Sequence, residues 1–101
     1  MTPTEIYAAQ KHGAELIKIF PANILGPSFI SAVKELFPGL LFMPTGGVEL
    51  SPENINAWFH AGVSAVGMGS KLISTNVLEN RLYDQLFADT EKALELVKTA
   101  M

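Results

Sequence analysis

The sequence predicts an α/β fold built from parallel βα units, and three observations predict it. Short, continuously apolar runs recur at Glu15–Phe20, Leu40–Met43 and Val63–Met68. Each run follows a helical stretch closed by a glycine, namely Gly13, Gly39 and Gly62. Each run leads into a loop rich in glycine or proline: Pro21-Ala22-Asn23, Pro44-Thr45-Gly46-Gly47 and Gly69-Ser70-Lys71. Strands this apolar are expected to be buried on both faces, as in a parallel sheet covered by helices with right-handed crossovers.

The units repeat at a spacing of about two dozen residues, which suits a barrel whose full (β/α)8 circuit takes about 250 residues. Three strands and four main helices cannot close a barrel, and alone they leave two open edges and an exposed inner face. The chain, residues 1–101, is therefore expected to be a barrel segment that needs an absent N-terminal portion or another copy of itself. A small open three-stranded α/β domain is the alternative.

In order, Thr2-Pro3-Thr4-Glu5 opens a helix, with Thr2 as N-cap, Pro3 at the first helical position and Glu5 completing a capping box. The helix runs to His12 before Gly13, and a histidine in a last turn suits the helix dipole better than a ligand role. After the first strand, a helix over Ser28–Phe37 carries Phe29, Ile30, Val33, Leu36 and Phe37 as its apolar stripe. After the second, Ser51-Pro52-Glu53 repeats the capping signal for a helix carrying Ile55, Trp58 and Phe59 to His60. Trp58 reads as a core or interface residue. After the third, a short turn near Lys71–Ser74 precedes a long helix over about Glu79–Thr99, with Leu82, Leu86, Ala93, Leu94 and Val97 facing the sheet.

Composition bounds the function. The 101 residues are 49% hydrophobic with a mean hydropathy of +0.27, a surplus of apolar surface that suits an interface. The net charge is −3 and the 7 basic residues are scattered, so neither a nucleic-acid footprint nor a basic membrane-surface helix is present. No apolar run spans a bilayer and the N-terminus lacks signal-peptide features, which predicts a cytoplasmic protein without membrane partners. There is no cysteine, so thiol and thiolate chemistry is excluded. The two histidines are not at ligand spacing, and neither a metal nor a cofactor is expected.

Lys18, between Ile17 and Ile19, is an unusual guest in such a strand. A buried ammonium is costly, and a lysine with a lowered pKa is the nucleophile of Schiff-base enzymes. The strand alone favours a lysine that reaches the sheet rim or pairs with an acid. The neighbouring loops weigh on the other side. Sites on parallel sheets form at the carboxyl ends of strands. Lys18 is near the top of strand one, Thr45-Gly46-Gly47 tops strand two, and Gly69-Ser70 tops strand three. Glycines there let backbone N–H groups approach an anion. Lys71 lies past its strand end, where solvent exposure or phosphate contact suits it better than imine chemistry.

Ile17-Lys18-Ile19-Phe20-Pro21-Ala22, Pro44-Thr45-Gly46-Gly47-Val48 and Gly67-Met68-Gly69-Ser70, with the opening Thr2-Pro3-Thr4-Glu5, resemble the C-terminal half of the 2-keto-3-deoxy-6-phosphogluconate (KDPG) aldolase / 4-hydroxy-2-oxoglutarate aldolase family. Order and spacing hold over essentially the whole chain. The resemblance implies a class I aldolase on a TIM barrel, usually a homotrimer. It would cleave a 2-keto acid, such as a phosphorylated sugar acid, to pyruvate and an aldehyde. Lys18 matches the family's Schiff-base lysine and Phe20 an aromatic lining the pyruvate pocket. Pro44, Thr45, Gly46 and Gly47 match the substrate-binding loop, and Gly47, Gly69 and Ser70 the phosphate contact.

The family's general-base glutamate, and the arginine and threonine that help bind the substrate carboxylate, belong to the other half of the barrel. Here Glu15 stands three residues from Lys18, on the opposite strand face, and Glu49 lies in the loop after strand two. A positioned base contributes about 10²–10⁴-fold, so the chain alone is expected to be poorly active. A non-catalytic phosphate-binding or self-associating half-barrel is the competing reading. Another phosphate-binding barrel, such as an isomerase, leaves Lys18 unexplained.

Overall fold

The computed structural model describes residues 1–101. The order is α1 (Pro3–Lys11), β1 (Leu16–Ile19), α2 (Ala22–Leu36), β2 (Leu41–Pro44), α3 (Pro52–Ala61), α4 (Thr75–Glu79) and α5 (Tyr83–Ala100). β1 and β2 pair in parallel, with Leu16 beside Leu41, Ile17 beside Phe42, Lys18 beside Met43 and Ile19 beside Pro44. The α/β class and the parallel strands joined through a helix agree with part of a barrel.

Side chains alternate across a strand, and only one face of this pair is covered. Ile17, Ile19, Phe42 and Pro44 are buried, while Leu16 is 47% and Leu41 45% exposed. The expectation of burial on both faces is therefore corrected. Helices cover the first face, with Ile6, Ile30, Val33, Ile55 and Trp58 completing the core. Nothing in the chain reaches across the second.

The third strand is also corrected. Ser64 N–H donates to Phe42 C=O (3.0 Å) and Gly67 N–H to Pro44 C=O (2.8 Å), so the segment follows β2. Only an isolated parallel bridge between Thr45 and Gly67 forms. Its outer edge pairs with no strand of the chain, and a segment held from one side at its ends does not complete a ladder.

Local chemistry explains the helix ends. Thr2 Oγ1 accepts from Glu5 N–H (3.3 Å) and also donates to Glu5 Oε1 (3.2 Å). That second bond takes the place of the reciprocal backbone bond of a capping box. Ser51 caps α3 by accepting from Asn54 N–H (3.1 Å), and Pro52 follows at the first helical position. α3 stops at Gly62, which adopts φ 111°, a left-handed conformation open to glycine without a Cβ penalty.

Two further boundaries differ from expectation. Pro21-Ala22-Asn23 is not a plain loop: Ala22 begins α2, and the helix breaks at Gly26 (φ 79°) before resuming at Pro27. A proline tolerated at a helix start makes this restart favourable. At the end of α2, the C-cap residue Phe37 packs against the core and Leu36 is left 62% exposed. The long C-terminal helix, α5, starts at Tyr83 rather than Glu79, because a separate short helix, α4, ends there, with Asn80 as its C-cap and Arg81 at a positive φ of 52°. α5 packs mainly on α3. Ala93, Leu96 and Val97 face inward, whereas Leu94 is 66% exposed along an apolar groove of about 350 Å³ beside Val66 and Met68.

Candidate active site

The carboxyl ends of β1 and β2 and the segment beside them surround an open cavity of about 500 Å³. Its walls include Phe20, Thr45, Gly46, Gly47, Gly69 and Ser70, all expected from the sequence. The parallel register brings them together. Ala22 N–H donates to Thr45 C=O (2.9 Å) and Thr45 N–H to Ile19 C=O (2.9 Å), which ties the end of β1 and the start of α2 to the loop after β2. The Gly67 bond to Pro44 then adds the third loop.

Lys18 stands on the uncovered face of β1, exposed and without an ion-pair partner. The expected burial is thus absent, because no element of the chain covers this face. Its Nζ lies 5.9 Å from the centre of the Phe20 ring, which is itself 57% exposed. Lys18 is not on the cavity wall, and Phe20 is the side chain that connects the two. Pro44 is buried in the core, and its carbonyl fixes the neighbouring segment.

The glycines of the mouth are required by contact and conformation. Gly46 and Gly47 have φ 84° and 80°. At Gly67, a Cβ would stand 2.5 Å from Thr45 Oγ1. That Thr45 hydroxyl is buried with no partner in the chain. The backbone N–H groups of Gly46, Gly47 and Val48, and those of Gly69, Ser70 and Lys71, also donate to no acceptor in the chain. Two runs of free N–H groups on facing loops can bind the oxygens of an anion.

Three polar residues complete the site. Asn54, on α3, donates from Nδ2 to Gly47 C=O (2.9 Å) and accepts from Glu49 N–H at Oδ1 (2.8 Å). It clamps the loop after β2 to a helix, a role that no motif signals because the contact is made only on folding. Asn23 lies against Gly47 and lines the mouth. Glu49 reaches the mouth, where its Oε1 is 3.7 Å from Lys71 Nζ. Chemically, the arrangement offers a primary amine beside an aromatic ring, and an anion cradle next to it.

A family model described as KDPG and KHG aldolase matches residues 1–88. The 2-dehydro-3-deoxy-6-phosphogalactonate aldolase of Escherichia coli (strain K12) is 35% identical over 98 residues, 96% of this chain and 47% of that protein. The 2-dehydro-3-deoxy-phosphogluconate aldolase of Treponema pallidum (strain Nichols) is 31% identical over 96 residues, 93% of this chain and 44% of that protein. A solved structure described as native KDPGal superposes with a TM-score of 0.75 at 34% identity, over 96% of this chain and 47% of that one. A cube-shaped, porous cage designed by fusing symmetric oligomeric domains also matches, with a TM-score of 0.75 at 34% identity, over 97% of this chain and 36% of that one. The chain spans about half the length of the curated relatives it matches.

Proposed function

Because the chain belongs to the KDPG and KHG aldolase family, we propose that it carries the amine and the phosphate end of a class I aldolase site. The single observation behind this reading is the placement of Lys18: an unpaired amine on the open strand face, beside Phe20 and the glycine-lined mouth. Lys18 Nζ attacks the keto carbon of the pyruvate portion of a 2-keto acid, and water leaves as the protonated imine forms. A base then removes the proton of the C4 hydroxyl, the C3–C4 bond breaks, and its electron pair passes into the imine to give an enamine. The aldehyde departs. Protonation at C3 and hydrolysis return pyruvate and the free amine.

Phe20 walls the pyruvate end, Thr45, Gly46 and Gly47 hold the body of the substrate, and Gly47, Gly69 and Ser70 meet a terminal phosphoryl group. The base must come from whatever covers the open face, since no carboxylate of the chain stands beside Lys18. A second chain or the complementary barrel half supplies that cover, and the exposed Leu16 and Leu41 support such a partner. The absence of a carboxylate next to Lys18 favours one further reading, a non-catalytic half-barrel that binds phosphate.

Borohydride trapping with pyruvate, followed by intact-mass measurement and peptide mapping, separates the two. A reduced pyruvyl adduct on Lys18 is expected. A folded sample with no adduct at Lys18 rules out the Schiff-base reading.

A further inference from the structure

We propose that Lys71 is a further ligand for the terminal phosphoryl group, held over the mouth by Glu49 until the phosphoryl group replaces that carboxylate. This rests on the aldolase reading for the location of the site. The supporting observation is the pair itself. Lys71 Nζ and Glu49 Oε1 are 3.7 Å apart and join the loop after β2 to the loop after the bridging segment. The other ion pair of the chain, Met1 amine to Glu5, joins only the N-terminus to the first turn of α1.

Both Glu49 and Lys71 line the same cavity as Gly46, Gly47, Gly69 and Ser70. The backbone N–H groups of those four residues donate to nothing in the chain. An anion drawn to them enters the cavity that the Lys71 side chain also lines. The pair is easily exchanged, because its side chains are 59% and 52% exposed and such pairs are weak. Glu49 offers one negative charge and a phosphoryl dianion offers two. The Coulomb attraction to Lys71 scales with that charge. Lys71 thereby favours phosphorylated over unphosphorylated substrates, while Glu49 positions it and lowers its affinity in the empty site.

The test is a titration of the ¹⁵N-labelled chain with inorganic phosphate, with sodium acetate at matched ionic strength as the control. The Gly46, Gly47, Gly69 and Ser70 amide signals are followed in the native chain, K71M, E49Q and the double variant. The same spectra report that each variant is folded. Phosphate is expected to shift these amides more than acetate does. K71M is expected to weaken phosphate binding about twofold to fivefold, and E49Q to strengthen it about twofold, roughly the span of a weak ion pair. In the K71M background, E49Q should lose its Lys71-dependent gain. If the amides ignore phosphate, the mouth is not a phosphate site and the inference falls with it. If they respond but K71M and E49Q titrate like the native chain, the role of Lys71 is overturned and the mouth reading stands. Trapping at Lys18 is independent of either result.

Discussion

Gly47 lies so close to Asn23 that a Cβ at position 47 would stand 2.7 Å from Asn23 Cα and 2.6 Å from Asn23 Cβ. The loop after β2 touches the first turn of α2 there, backbone to backbone. Gly47 also has φ 80°, which side-chain-bearing residues rarely adopt. Gly47→Ala should therefore force the loop away from α2. We expect a loss of about 1–3 kcal/mol in urea unfolding, the usual cost of a residue held in a strained backbone region. The Gly46 and Val48 amide signals should move with it. An unchanged unfolding midpoint and unchanged spectrum would contradict the contact.

Asn54 holds the same loop from the other side through its bonds to Gly47 C=O and Glu49 N–H. Asn54→Ala removes both partners and should cost about 1–3 kcal/mol. Asn54→Asp keeps an acceptor for Glu49 N–H but loses the donor to Gly47, so an intermediate loss is expected. Equilibrium urea unfolding of the three proteins orders them, and an Asn54→Ala midpoint equal to that of the native chain would contradict the clamp.

Lys18 is exposed and unpaired, so Lys18→Arg should leave stability within about 0.5 kcal/mol of the native chain. It should also abolish borohydride trapping with pyruvate, because a guanidinium does not form the imine. A retained adduct elsewhere in the chain would assign the nucleophile to another lysine.

The uncovered face joins Leu16, Leu41 and Phe20. Leu16→Glu combined with Leu41→Lys should reduce self-association in light scattering. Thermal unfolding of the monomer should change little, since both side chains are about half exposed already. A large fall in monomer stability instead would mean that these leucines belong to the core of the chain.

The N-cap of α3 is a local feature with a separable effect. Ser51→Ala removes the acceptor for Asn54 N–H and should cost about 1 kcal/mol. Circular dichroism during urea unfolding measures it.

The amino-acid sequence by itself determined the parallel βα class, the capped starts of α1 and α3, and the glycine loops at the strand tops. These depend on residue type within a few positions: Thr2 and Ser51 as caps, Pro3 and Pro52 after them, and Gly62 where a helix must turn left-handed. The mouth residues Phe20, Thr45, Gly47 and Ser70 were legible for the same reason, because loops at the carboxyl ends of parallel strands share one side of the sheet. Tertiary structure decided the rest. Ile17 and Lys18 look equally buried in an apolar string, but only the face carrying Ile17 meets the helices, so Lys18 is left in the open. Val63–Met68 reads as a strand, yet a strand needs partners, and this segment has β2 on one side only. Asn54 and the Glu49–Lys71 pair carry no local signature, since each joins residues that only the folded chain makes neighbours.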